Sequence, residues 1–206
     1  MVSSGPRDQI LTAATAVFAE VGYAGARVDA IAGRAGVNKA MLYYHVGNKR
    51  ALYTAVLRSV LEHIRGVVGG VASIADPVER FRAVARSIAV FAGERPDAPS
   101  VLFREVATGG KNLDAELLDE LAQVFAGVRD LYQRGSDLGV FRPTDPLVAH
   151  FVSVGALLFL VGSRPLRERL GPMTGAGDVE ETPEILAGRF ADLLLDGLRV
   201  RNERSS

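Results

Sequence analysis

The stretch from Ile31 to Lys49, IAGRAGVNKAMLYYHVGNK, decides how the chain is read. At its left edge Val28, Ile31, Ala32 and Ala35 recur at spacings of 3, 1 and 3, the apolar stripe of a short amphipathic helix. Gly36 follows where a left-handed residue ends a helix, so Ala35-Gly36-Val37 reads as a turn. Asn38 then offers a side-chain oxygen to the free N–H groups of a second helix, although Met41 at the third helical position leaves the reciprocal half of a capping box unfilled. That helix is expected over Lys39–Val46. Leu42 and Val46, one turn apart, can face inward, which leaves Lys39, Ala40, Tyr43, Tyr44 and His45 on the remaining surface. An exposed face with two tyrosines, a histidine and a lysine but no acid suits a polyanion. A short helix, a tight turn and a second helix of this make-up is how a chain sets a helix into a DNA groove.

Outward from this stretch the chain reads as helices with punctuation. Ile10, Leu11, Ala14, Val17, Phe18 and Val21 form the apolar face of a first helix closed by Gly22, while Asn48 caps a long helix through Leu52, Val56, Val60 and Ile64 that Gly66, Gly69 and Gly70 loosen. Asp76-Pro77-Val78-Glu79 supplies a cap, a proline at the first helical position and an acid positioned to reach back, opening a helix to about Arg95 that Pro96 and Pro99 stop. A short helix is expected over Ser100 to Thr108, and a longer one from about Leu113 to Arg134 before Gly135, Gly139 and Pro143 break the pattern. Asp145-Pro146 and Thr182-Pro183 repeat the cap-and-proline device for the eighth and ninth helices. No alternating strand pattern and no repeat is evident. The expected class is all-α, with about nine helices.

These motifs resemble the TetR (tetracycline-repressor-like) family of bacterial regulators. Its N-terminal signature is a helix ending in F-x-x-x-G-Y, then I-A-x-x-A-G-V, then L-Y-x-H-[FV]-x-[NS]-K-x-x-L. The chain has Phe18, Gly22 and Tyr23; Ile31, Ala32, Ala35, Gly36 and Val37; and Leu42, Tyr43, His45, Val46, Asn48, Lys49 and Leu52. The likeness covers roughly residues 7 to 57, about a quarter of the chain. It departs at one point: the family usually has Ser or Thr capping the second helix and touching a phosphate, whereas this chain has Ala26-Arg27, where Arg27 can supply the phosphate contact by charge alone. With the exposed face described above, the resemblance assigns DNA contact to Arg27, Asn38, Lys39, Ala40, Met41, Tyr43, Tyr44, His45 and Lys49. Tyr43 takes the position whose hydroxyl meets phosphate in the family, and Ala40 is either a neutral filler or a contact to a thymine methyl. Lys49 opens a helix, where a cation opposes the helix dipole, and that local misfit favours a functional role.

Composition bounds the rest. In 206 residues, 48% of them apolar, there is enough to bury a substantial core as one large or two small domains. Formal net charge is zero, yet residues 1–60 hold seven Lys or Arg and three acids, a net of +4, so the remainder carries −4. The basic end is the motif end. Zero cysteines exclude disulfide and thiol chemistry, and the start, MVSSGPRDQI, has no apolar h-region, so no export signal is expected and the cytoplasm is the default. Only His45, His63 and His150 are present, with no H-E-x-x-H, no G-x-S-x-G and no Walker-type loop, so an enzyme, a metal site and a cofactor are not expected. Arg104 and Glu105 read as an ion pair rather than a catalytic dyad.

Leu147 to Gly162, LVAHFVSVGALLFLVG, is the most apolar stretch, but its 16 residues, with His150 among them, fall short of a membrane span. A helix apolar on every side is buried all round. Ser153, Gly155 and Ala156 let another helix approach, so the stretch is expected to form a subunit interface with the ninth helix, whose apolar residues are Ile185, Leu186, Phe190, Leu193, Leu194 and Leu198. The resemblance implies the same, since TetR-like dimers pair their last two long helices as a four-helix bundle. The interface residues expected are His150, Val154, Leu157, Leu158, Phe190 and Leu194. Between these helices Ser163 to Pro183, rich in Pro and Gly, reads as a mobile connector. Residues 1–57 are thus expected to form a helix-turn-helix DNA-binding domain and 58–206 a helical effector-binding and dimerisation domain. By the resemblance, the fourth to seventh helices enclose an apolar cavity for a small apolar or amphipathic effector. Candidate lining residues are His63, Phe81, Arg86, Phe103 and Phe125, each of which also reads as core or surface. The expected protein is a homodimeric repressor of a palindromic operator; an activator, a ligand-independent regulator and an architectural DNA-binding protein are the alternatives.

Overall fold

The computed structural model describes residues 5–175 and 182–199, and within them ten α-helices with no strand beyond one isolated bridge between Phe141 and Arg199. They are α1 (Pro6–Gly25), α2 (Val28–Ala35), α3 (Lys39–Val46), α4 (Lys49–Gly70), α5 (Pro77–Glu94), α6 (Asp97–Ala107), α7 (Ala115–Asp137), α8 (Pro146–Gly162), α9 (Arg164–Thr174) and α10 (Pro183–Leu198). The start of the chain before Gly5, and the connector residues from 176 to 181 with Gly177 among them, lie outside the described residues. All-α is thus the observed class. The tenth helix is α9, formed inside the expected connector and leaving α8 at 72°. Its existence has a local cause: Arg164 and Glu168 pair across one turn at 2.7 Å, and an Arg167 guanidinium N–H donates to the Leu160 carbonyl.

The chain forms two compact units that no single cut separates: residues 1–63 with 95–121, and residues 64–94 with 122–206. The core of the first gathers Ile10, Phe18, Ile31, Leu42, Leu52, Tyr53 and Leu57 with Val101 of α6 and Leu117 of α7. Gly22, at φ 70, bends α1 and turns Tyr23 back so that its ring lies 4.9 Å from Tyr53, itself edge-on to Phe18 at 4.8 Å. Polar cross-links then fix the helices. Arg104 donates to the carbonyls of Ala19 and Glu20 at 2.6 and 2.9 Å, satisfying acceptors that the bend in α1 leaves without helical partners. Glu105, 1% exposed, accepts from the Tyr53 hydroxyl at 2.8 Å and from the Asn112 backbone and side chain at 2.6 and 3.0 Å. Burial, and then the Glu105 carboxylate, push the Tyr53 phenol above its ordinary range. Arg104 and Glu105 therefore do not pair with each other as expected; successive residues on a helix point in different directions.

In the second unit, apolar and aromatic packing surrounds a few polar cross-links: buried Arg80 pairs with Asp130 at 2.7 Å, and the Tyr132 and Ser153 hydroxyls share a hydrogen bond of 2.8 Å. Phe81 lies 6.4 Å from both Tyr132 and Phe190, and the core continues through Ala89, Phe141, Leu157 and Leu195 on α5, α8, α10, the later part of α7 and the loop that follows it. Gly135, expected to break α7, instead sits inside it: a Cβ there would fall within 2.0 Å of the Phe141 ring, so the glycine makes room for an aromatic side chain. Asp76, Asp145 and Thr182 accept from first-turn N–H groups of α5, α8 and α10 as their positions predicted.

Candidate nucleic-acid interface

Recognition in a helix-turn-helix depends on holding one short helix rigidly while leaving its outer face bare. Gly36, at φ 69, ends α2 in the left-handed conformation that glycine adopts without strain, and Val37 N–H closes the turn on the Ala32 carbonyl at 3.0 Å. Asn38 caps α3, its side chain accepting from Met41 N–H at 2.8 Å. Leu42 is fully buried and anchors the helix from beneath. Arg27 stands at the N-cap position of α2 without a side-chain cap bond, and its own side chain is exposed.

What remains outside is the expected face. Tyr44 is 85% exposed, Lys39, Ala40, Met41 and Tyr43 are exposed, and His45 is half-buried with its ring edge-on to Tyr44 at 5.2 Å. The nine residues named for DNA contact, from Arg27 through α3 to Lys49, all lie in the first unit. Two cations are already engaged. Lys39 Nζ lies 2.9 and 3.1 Å from the two carboxylate oxygens of Asp29 on α2, and the hydrogen bond and charge of Asp29 hold its ammonium above the ordinary lysine value. Lys49 donates to the Ala24 carbonyl at 3.3 Å and sits 4.8 Å over the Tyr23 ring. The cation that opposes the dipole of α4 thus also complements the C-terminal end of α1.

Sequence reasoning missed the acidic partners of this surface. Asp29 with Lys39, and Glu20 with Arg34, are tertiary pairs between residues 10 and 14 apart. One signal was visible: Asp29 is the sole acid between Glu20 and Glu62.

The other expected sites are placed as follows. Phe81 is buried in the second unit's core, Phe125 packs against His150 at 4.5 Å and Phe151 at 5.6 Å, and Arg86 is exposed; His63 and Phe103 belong to the first unit and are exposed. Among the expected interface residues, Leu157 and Phe190 are 1% and 4% exposed and belong to their own unit's core. His150, Val154, Leu158 and Leu194 are half-buried. The most exposed large side chains of α8 are Leu147, Val148, Phe151, Val152 and Phe159, because an apolar helix packed on one side presents its opposite residues. Among the described residues no single helix is long and apolar enough to cross a membrane, and no group of three or more His, Cys, Asp or Glu could hold a metal.

A capped, anchored α3 following a glycine turn defines a helix-turn-helix protein. The description "Bacterial regulatory proteins, tetR family" matches residues 10–56, and "Tetracyclin repressor-like, C-terminal domain" matches residues 74–161. The chain belongs to the TetR family of bacterial regulatory proteins, which places it among transcription regulators. It is 30% identical to the transcriptional activator FasR of Mycolicibacterium smegmatis over 76% of this chain and 69% of that protein. It is 28% identical to the transcriptional repressor NicS of Pseudomonas putida over 76% of each chain. Among solved structures it is similar to AibR, determined in complex with isovaleryl coenzyme A and operator DNA, with a TM-score of 0.72 and 24% identity over 95% of this chain and 98% of that one. The ketosteroid regulator KstR2 of Mycobacterium tuberculosis gives a TM-score of 0.76 and 21% identity over 98% of each chain. At these identities the structural likeness speaks to the fold.

Proposed function

We propose that the protein is a homodimeric repressor that leaves a palindromic operator when a small apolar or amphipathic effector binds. Residues 1–57 act as the DNA-binding part, and 58–206 carry effector binding and dimerisation. One observation supports the DNA role above all: α3 presents Lys39, Met41, Tyr43, Tyr44 and His45 with no acid of its own, on a helix held by the Asn38 cap and buried Leu42. Such a face suits base edges in the major groove, while Arg27, Tyr43 and Lys49 suit phosphates. For dimerisation, α8 leaves Val148, Val152 and Phe159 exposed at helical spacing, with nothing within 4 Å of the Cβ position of Gly155 between them; α10 leaves Ile185 and Leu193 exposed. An apolar stripe of this kind marks a surface that another helix covers. A two-fold dimer makes its operator palindromic. That AibR was solved with an acyl coenzyme A and operator DNA supports an effector of mixed apolar and polar character.

Footprinting on genomic fragments tests the reading. A short protected palindrome is expected, whereas sequence-tolerant coverage would indicate an architectural protein. Lys39→Ala should relax sequence preference, and Lys49→Ala should weaken all sites alike and flatten the salt slope by about 1. An effector must prefer the DNA-free state to shift the population, so it should raise the melting temperature of free protein and release operator at similar concentrations. Release only by a sugar, a nucleotide or a metal ion would reject the apolar effector.

A further inference from the structure

Across the forty-one residues from Val21 to Leu61 there are six Lys or Arg and a single acid, Asp29. An acid in a DNA-binding head repels phosphate, so its presence there calls for a cause. The first turn of α2 supplies part of one, because Arg27 gives that helix no side-chain cap and a carboxylate complements its dipole. The geometry goes further: both oxygens of Asp29 lie within 3.1 Å of the ammonium of Lys39, the first residue of the recognition helix. The pair is open to solvent, with side chains 72% and 50% exposed. It holds the one lysine of α3 against α2 and leaves that corner of the surface without net charge.

We propose that Asp29 is a specificity-determining residue, withholding Lys39 from arbitrary phosphates and releasing it only where a groove presents well-placed base acceptors. The inference rests on α3 being the DNA-reading helix. Its logic is a difference of two small quantities. An exposed ion pair is worth only about twofold in an equilibrium constant, a cost shared by every complex that uses Lys39, so a strong acceptor set displaces it. A contact with guanine O6 and N7 is worth about tenfold or more in discrimination, enough to break the pair with a margin. A lone phosphate gains more than that from the free ammonium, about three- to tenfold, but Asp29, uncovered within a Debye length of it, repels the phosphate and cancels most of the gain. Non-specific DNA therefore gains little from Lys39, and the correct site gains most of its value. Specificity by penalising the wrong partner is as effective as improving the right one.

The test uses the full chain and two probes: a duplex recovered by the wild-type protein from a random-sequence pool, and a random duplex of equal length. Asp29→Asn should tighten binding to the random duplex by about three- to tenfold and steepen its salt slope by about 1, since one more phosphate contact forms. Binding to the selected duplex should change by less than about twofold, so the specificity ratio falls. In a Lys39→Met background Asp29→Asn should do nothing to that ratio, and Asp29→Glu should retain the wild-type ratio. Equal tightening on both duplexes, no change on either, or an effect that survives Lys39→Met would each overturn the proposal. Should Asp29→Asn lower the melting temperature, Asp29→Ser, also suited to a helix start, gives the same readout. The underlying reading fails separately: a pool that yields no sequence rejects α3 as the reader and the proposal with it, whereas Lys39→Met retaining full preference rejects the proposal alone.

Discussion

The two compact units both have apolar and aromatic cores, but they differ in the polar contacts that accompany them and in what their surfaces leave bare. In the first, directional contacts tie helices far apart in the chain: Glu105 to Tyr53 and Asn112, Arg104 to the carbonyls of α1, and Arg58 to Glu116 and Glu120 at 2.9 and 2.7 Å. In the second, aromatic and aliphatic side chains fill the core around the Arg80–Asp130 pair and the Tyr132–Ser153 hydrogen bond, and α8 remains apolar on its outer face as well. Hydrogen bonds with set geometry specify one arrangement, which a helix that reads base edges needs. Apolar packing supplies stabilisation without direction, and a surplus of it at the surface is material for association.

The sharpest way to break this comparison is to place the same charge at two positions of α8 that lie on opposite faces. Leu157 is buried in its own unit, so Leu157→Arg should unfold that unit, with a loss above about 4 kcal/mol, since an unpaired charge is desolvated and the core disrupted. Val152 is 53% exposed, so Val152→Arg should leave the fold intact and dissociate the proposed dimer. Circular dichroism and sedimentation velocity separate the two outcomes. A folded Val152→Arg variant that stays dimeric would move the interface off this face of α8.

A smaller effect is expected from the polar network of the first unit. Glu105→Ala leaves the Tyr53 hydroxyl and the Asn112 N–H without their buried acceptor, a loss of about 2–4 kcal/mol, whereas Tyr53→Phe removes one hydrogen bond and loses about 1 kcal/mol. Urea titrations of both variants measure this. If Glu105→Ala proved no more harmful than Tyr53→Phe, the directional network would not be what fixes the first unit.

How far each region was legible from sequence follows the same division. The helix-turn-helix could be read because its determinants are local: the Gly36 turn, the Asn38 cap and the spacing of Ile31, Ala32 and Leu42 all act within a few residues. The caps at Asp76 and Asp145 were legible for the same reason. Glu105, Arg104 and Asp29 were not, because their partners are fixed only when separate helices pack. Gly135 misled in a related way: its role is room for the Phe141 ring, while by propensity alone a glycine reads as a break. The apolar run of α8 announced a buried helix, but which side meets its own core, through Ala149, Ser153 and Leu157, depends on the packing of α5 and α10.

The mildest prediction concerns His150, which sharpens the contrast by adding a titratable group to the apolar unit. Its ring packs edge-on to Phe125 at 4.5 Å and lies 5.7 Å from Phe151, and burial lowers its pKa from the ordinary value of 6.5. A depressed pKa means that the unfolded chain takes up a proton at a higher pH than the folded one does. Its contribution to stability is therefore present above about pH 6.5 and is lost as pH falls toward the folded-state pKa. Wild-type protein should lose stability between neutral pH and pH 5.5 beyond what acid does to a His150→Phe variant, which keeps the aromatic packing and cannot protonate. Urea midpoints at several pH values would show this as a difference in slope confined to the region below pH 6.5. Parallel pH profiles for the two proteins would mean that His150 is charged or solvated in the folded state, and that the second unit is less apolar around α8 than its aromatic contacts imply.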